Sequence, residues 1–240
     1  YTTREPVGVV AAITPWNVPL GQAIWKIALV LATGCTVVLK PAENTPLTAL
    51  RFALLAKEIG IPDGVINVVT GYGAVAGAAL VAHPDVNKIS FTGSTETGRI
   101  IGIEAAKGFK KCSLELGGKS PVIIMDDADL GQAIPGAAQA ILGNHGQNCC
   151  AGSRLFVHES VYEEVLAGVA KIASSVKLGP GLDPTSEMGP LVSSAQQKRV
   201  LSYIKSGVDE GAEVVAGNST IDHPGFYVRP TILANVTRDM

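Results

Sequence analysis

Apolar residues in the first half of the chain fall into short unbroken runs, separated by longer stretches in which they recur at helical spacing. The runs are VGVVAAI (7–13), CTVVLK (35–40), VINVV (65–69), KISFT (88–92) and SLEL (113–116). Each is short, β-rich and bounded by Gly or Pro, which predicts strands buried on both faces. Helices are expected between them. One runs from Pro19 to Gly34, with Gly34 at its C-terminal cap. A second has Thr45 as cap, Pro46 at its first position and an end near Gly60. Others begin near Gly73 and near Ser94. Such strand–helix alternation implies a parallel sheet covered on both faces, and a nucleotide-binding α/β unit leads before any motif is read.

Gly117-Gly118 interrupts this series and marks a boundary between a domain over 1–117 and another over 118–240. The second series predicts a strand at PVIIM (121–125), helices near 129–142 and 160–176, and a strand SRLFVHE (153–159) between them. A polar loop over 179–190 precedes a helix from SSAQQKRVLSYI (193–204), and the strands EVVAG (213–217) and FYVRPTIL (226–233) follow. No internal repeat or low-complexity tract is present.

Composition narrows the classes. Hydrophobic residues make up 47% of the 240 positions and charged ones 17%, as in a packed rather than a disordered chain. A net charge of −2, with no basic run longer than Lys110-Lys111, supplies no pull toward nucleic acid or an anionic membrane surface. The longest apolar stretch, Ile24 to Val38, is broken by Lys26 and Gly34, so no spanning helix is expected. The start YTTREPVG has neither a signal pattern nor an initiator Met, and the end NVTRDM has no stop-like character, so truncation at both ends is expected. The four cysteines, 35, 112, 149 and 150, show neither metal-ligand spacing nor a secreted disulfide framework. No metal site is expected, and a reducing cytoplasmic setting is the default.

Several segments carry candidate chemistry. GQNCCAG (146–152) sets cysteines in a small, polar, glycine-flanked loop after a helix, as a thiolate nucleophile requires. A buried structural cysteine pair is the commoner fate, and a disulfide between Cys149 and Cys150 a minor one. Glu115 in LELGG (114–118) interrupts an apolar strand, where desolvation would raise its pKa toward the range of a general base. The plain alternative is an edge-strand carboxylate facing water, although the adjoining glycines let other groups approach the backbone. PWN (15–17) ends the first strand, where Asn17 can donate to an oxyanion or serve as an Asx-turn or cap before Pro19. Lys40 and Glu43 in KPAENTP suit sugar hydroxyls or are solvated loop charges. GYGAVAG (71–77) and FTGSTETG (91–98) offer glycine turns and backbone N–H groups to phosphate, the first with one residue more than the common dinucleotide fingerprint.

PWN, KPAENTP, FTGSTETG, LELGGKSP and GQNCCAGSR, in this order, resemble the aldehyde dehydrogenase superfamily over nearly the whole chain. The resemblance implies a Rossmann-like, parallel-sheet cofactor-binding domain over 1–117 and a second α/β catalytic domain over 118–240. It makes Cys149 the nucleophile and Glu115 the general base, with Asn17 and the Cys149 backbone N–H forming the oxyanion hole. Lys40 and Glu43 match positions that contact the adenosine ribose. Gly73, Gly77 and Ser94 match positions near the adenine and pyrophosphate, Gly93 the nicotinamide side, and Trp16 is grouped with the cofactor positions. The cofactor implied is NAD, preferred over NADP because a carboxylate at Glu43 accepts from a 2′-hydroxyl and repels a 2′-phosphate. The substrate implied is a small-molecule aldehyde, oxidised to a carboxylic acid through a thioester, in a homo-oligomer. Family members carry a segment before Tyr1 and a Glu-x-Phe-Gly-Pro motif after Met240. The rival readings are a non-catalytic relative or inactive fragment that binds a nucleotide, and an enzyme that passes its acyl group to coenzyme A. Retention of Cys149, Glu115 and Asn17 opposes the first, and Glu115 as a water-activating base opposes the second.

Overall fold

The five unbroken runs of residues 1–117 all become strands of one sheet: β1 (Val9–Ile13), β2 (Thr36–Lys40), β3 (Ile66–Val68), β4 (Lys88–Thr92) and β5 (Lys111–Glu115). The computed structural model describes residues 1–240, which divide into two compact units, Tyr1–Gly117 and Gly118–Met240. In the first unit the strands are all parallel and ordered β3-β2-β1-β4-β5. Side chains of β1 alternate between two separate cores. Val10 and Ala12 pack with Ala23, Ile27 and Val30 of α1 (Pro19–Ala32) and with Ala49 of α2 (Leu47–Glu58). Ala11 and Ile13 pack on the other face with Val81 of α3 (Ala78–Ala82) and with Ile101 and Ala105 of α4 (Thr95–Lys107). A strand covered on both faces has no polar side to show, which is why these runs lack the alternation of a half-exposed sheet.

Local chemistry ends the helices. Gly34 takes φ +70°, and the N–H groups of Gly34 and Cys35 donate to the carbonyls of Leu31 and Val30, closing α1 in the left-handed manner glycine allows. Ser94 caps α4 by accepting from the Thr97 N–H at 3.2 Å. The Lys110 ammonium donates to the carbonyls of Val81 and His83, satisfying the end of α3.

Three expectations are corrected in this unit. Thr45 does not cap α2: Pro46 already has helical φ/ψ and holds the cap position, leaving the Thr45 hydroxyl buried without a partner. The helix at Gly73 opens as a π-turn over Gly73–Gly77 and becomes α-helical only at Ala78. β5 is an edge strand and all five of its residues are exposed, so its apolar letters do not mark burial on both faces.

In the second unit a parallel pair, β6 (Pro121–Ile124) and β7 (Arg154–Val157), is covered by α5 (Leu130–Leu142) and α6 (Tyr162–Ser175). Ile124, Ala137, Ala138, Val165 and Val169 form its core. The helix α7 (Ser194–Asp209) leads to an antiparallel pair, β8 (Glu213–Ala216) and β9 (Ile232–Ala234). FYVRPTIL is thus a strand only at its end. Pro230 lacks the N–H a ladder needs, and Tyr227 is buried in a loop whose carbonyl accepts from the Gln197 amide at 2.9 Å. No helix of the chain is long and apolar enough to cross a membrane.

Candidate active site

Because the first sheet is parallel, the C-terminal ends of its strands share one edge. From β1 the chain steps to β2 and β3 on one side, then returns to β4 and β5 on the other. The order therefore reverses between β1 and β4, and ligands of open α/β sheets bind outside the strand ends at such a switch point. Trp16 and Asn17 follow β1 there, both half-buried, and Gly93 and Ser94 follow β4. The N-cap of α1 is Val18, so Asn17 is not consumed as that cap. A Cβ on Gly93 would strike the Phe91 ring, so only glycine lets the turn fold back over that side chain. Thr14 and Thr92, one residue beyond the Ile13–Phe91 pair of the ladder, each bury a hydroxyl that has no protein partner. Such groups are rare in a finished structure and suit a polar ligand crossing the strand ends.

Lys40 ends β2 and is buried, with its ammonium 3.2 Å from the Glu43 carboxylate. Burial pushes Glu43 up, but its own backbone N–H and the Lys40 ammonium outweigh that, so the carboxyl lies below its ordinary value. Gly77 lies over the Lys40 stem, where an added Cβ would be 3.9 Å from Cδ. A Cβ added at Gly73 would meet nothing within 4 Å, which leaves that face of the π-turn open.

Glu115 ends β5 opposite Thr92, and its carbonyl accepts the Gly93 N–H at 3.0 Å. The ends of β4 and β5 are thereby tied together. The burial expected for Glu115 is absent, since its strand is at the open edge of the sheet. Its electrostatic neighbour is Lys26, which in the sequence shows only as a break in an apolar run. Lys26 sits 8% exposed on α1 and donates to the Ser90 hydroxyl at 3.0 Å. Burial lowers its pKa to about 8, with the Glu115 carboxylate pulling it partly back. A lone lysine inside an apolar helix was the signal. The folded protein binds this proton less tightly than the unfolded chain, so stability is fullest above 10.5 and falls as pH drops through about 8. Urea midpoints should therefore rise between pH 7.5 and 9.5 by an amount worth on the order of 2 kcal/mol, and Lys26→Met should abolish the rise. Equal slopes in both proteins would contradict this.

Cys149 belongs to the second unit, in the loop that follows α5 and a 3₁₀ turn, Gly143–Gly146. Cys149 and Cys150 are free and exposed, so the buried structural pair is not what forms. Two glycines fix the loop. A Cβ on Gly118 would come within 2.8 Å of the Cys149 carbonyl oxygen, and one on Gly152 within 2.6 Å of Val122 Cγ2 and 3.0 Å of Ala140 Cβ. The Gly152 N–H donates to the Ala140 carbonyl at 2.9 Å. The backbone around the thiol is thus held by β6 and α5, with the sulfur left outside.

The first unit is thus a doubly wound sheet of nucleotide-binding type, and the second an α/β unit that carries an exposed cysteine on a glycine-clamped loop. The chain belongs to the aldehyde dehydrogenase family, whose family model matches residues 1–240. It is 57% identical to phenylacetaldehyde dehydrogenase of Pseudomonas fluorescens, over 98% of the chain and 47% of that protein. It is 48% identical to human retinal dehydrogenase 2, over 100% of the chain and 46% of that protein. Among solved structures, the NAD+ complex of an aldehyde dehydrogenase from Bacillus cereus superposes with a TM-score of 0.97 at 56% identity, covering 98% of this chain and 48% of that one. The chain spans about half the length of the curated relatives it matches.

Proposed function

We propose that the protein of which these residues form part oxidises an aldehyde to a carboxylic acid with NAD, in a reducing, cytoplasmic compartment and as a homo-oligomer. Family membership supports the reaction class, and the four free cysteines support the compartment. The observation that carries the reading is the exposed, backbone-clamped Cys149 of the second unit; within the first unit, the strand ends offer Lys40, Glu43 and two unpartnered buried hydroxyls to a nucleotide.

The residues fit the cofactor. Lys40 and Glu43 would hold the adenosine ribose, Gly73, Gly77 and Ser94 the adenine and pyrophosphate, and Trp16 and Gly93 the nicotinamide end. When bound, NAD supplies the acceptor for the hydride leaving the substrate carbon. The chain's own groups do the rest. The Cys149 thiolate adds to the aldehyde carbonyl, forming a C–S bond and an oxyanion. The Asn17 amide and the Cys149 backbone N–H donate to that oxyanion. Loss of hydride leaves a thioester on Cys149. Glu115 then takes a proton from water, the oxygen attacks the thioester carbonyl, and the C–S bond breaks to free the acid and restore the thiol.

NAD is preferred over NADP in this reading because Glu43 is held ionised and would repel a 2′-phosphate. Glu43→Ser should lower the NAD/NADP ratio of kcat/KM about tenfold, equivalent to about 1.4 kcal/mol. An unmoved ratio would remove Glu43 from the assignment. The substrate class is proposed as apolar aldehydes of the phenylacetaldehyde kind, on the similarity to that enzyme. A panel of aromatic, aliphatic and betaine-type aldehydes, followed by NADH absorbance in a chain extended to the length of its relatives, tests the reaction and the class together. No turnover by a folded chain that still binds NAD would favour a non-catalytic relative.

A further inference from the structure

The turn that delivers Cys149 has an unusual backbone. Asn144, His145 and Gly146 take φ values of 50°, 62° and 69°, three left-handed residues in succession. For the two that carry a Cβ this costs roughly 1–2 kcal/mol each, and such strain persists only where the surroundings impose it. The imposing contact is on the His145 ring. Its Nε2 accepts the Gly189 N–H at 2.8 Å, and an added Cβ on Gly189 would already be 3.4 Å from that nitrogen. Gly189 is itself firmly placed. The Gly179 N–H donates to the Met188 carbonyl at 3.0 Å, and the Lys177 N–H donates to the Glu187 carboxylate at 2.7 Å. From His145 the order runs on toward the thiol through Gln147 N–H to the Asn144 carbonyl at 2.9 Å and the Asn148 amide to the Gly143 carbonyl at 3.4 Å.

We propose that His145 is a positioning residue for the nucleophile, its neutral imidazole accepting the Gly189 N–H to hold the left-handed turn that presents Cys149. The inference rests on the reading of Cys149 as nucleophile. An Nε2 that accepts must carry its lone pair, so the ring proton is on Nδ1, which is buried without a hydrogen-bond partner. Protonation would set one N–H against another and release the turn. Burial favours the neutral ring, with the Asn144 carbonyl pulling partly back. The groups around the adjoining cavity of ≈ 480 Å³ are Gln139 and Leu142 from α5, Ile172 and Ser175 from α6, and Glu187, the one carboxylate, from the loop. A misplacement of about 1 Å at a reacting atom costs on the order of 100-fold, so a slackened turn is felt in the chemistry.

The test uses a chain extended to the length of its relatives, with His145→Ala and His145→Gln. A glutamine carbonyl oxygen reaches about as far as Nε2 and accepts without titrating. His145→Ala should slow both the NADH burst and the alkylation of Cys149 by iodoacetamide about 10–100-fold, with NAD affinity within about twofold of the parent. His145→Gln should restore the burst to within about threefold, and its pH profile should lack the acid limb expected of the parent on the acid side of the ordinary histidine range. The proposal is overturned if His145→Ala reacts at the parental rate, if His145→Gln is as slow as alanine, or if it keeps the parental acid limb. Should the alanine variant fail to fold, the glutamine profile decides alone. Cys149→Ala run alongside separates the two readings. If it retains turnover, the nucleophile assignment fails. If it is inert while the His145 variants match the parent, only this inference fails.

Discussion

Cys149→Ala is expected to abolish NADH formation, lowering kcat by about 10³-fold or more, whereas Cys150→Ala stays within about threefold of the parent. In the proposed route the Cys149 sulfur forms the covalent bond to the substrate, and the other thiol of the loop, Cys150, is the rival nucleophile. Exposure does not separate the two cysteines, since both are free and open. Backbone placement does. The Cys149 carbonyl is the group set against Gly118, and Cys149 is the nucleophile in the proposed function. NAD binding should survive, because the residues proposed to hold the cofactor belong to the first unit and Cys149 to the second. Steady-state absorbance gives the rate, and NAD titration by quenching of tryptophan fluorescence gives the affinity. Loss of turnover in Cys150→Ala with retention in Cys149→Ala would reverse the assignment.

The second large effect concerns the other half of the cycle. Glu115→Gln should leave a fast burst of NADH, close to one equivalent per site, and then slow steady turnover about 10²–10³-fold, since general-base contributions are of that size. The substitution is nearly isosteric at an exposed position and leaves in place the backbone bond from the Gly93 N–H. Its effect on stability should therefore stay within about 0.5 kcal/mol. Removing the carboxylate also removes the charge that raises the Lys26 pKa, so the Lys26 proton should leave at lower pH in the variant. Rapid-mixing absorbance separates burst from steady state. A burst lost in proportion to the steady rate would place Glu115 in acylation instead of hydrolysis.

How much of this was legible in the letters depends on what each letter reports. Strands β1, β2 and β4 were readable because burial on both faces leaves an unbroken apolar run. β5 misleads for the same reason: the apolar letters of SLEL read as interior, but nothing in a run of residues says whether a strand has a neighbour on each side. The order β3-β2-β1-β4-β5, and with it the switch point, is a property of long-range pairing that periodicity does not carry. Thr45 failed as a cap by one position, because Pro46 itself is helical. Phe226 to Thr231 looked like strand on composition, yet Pro230 and the buried Tyr227 turn it into a loop. Residues proposed for the cofactor were visible because turn glycines and charges stand out after strands. In the sequence Lys26 shows only as a break in an apolar run, and His145 carries no signal. The value of each lies in its partner, Ser90 or Gly189, far away in sequence.

The most direct test of the central claim is mass spectrometry of Glu115→Gln, in a chain extended to the length of its relatives, quenched after mixing with NAD and a reactive aldehyde. A stoichiometric acyl adduct is expected on the peptide containing residues 146–152, located on Cys149 and absent without NAD. NADH formed with no adduct, or an adduct on Cys150, would contradict it.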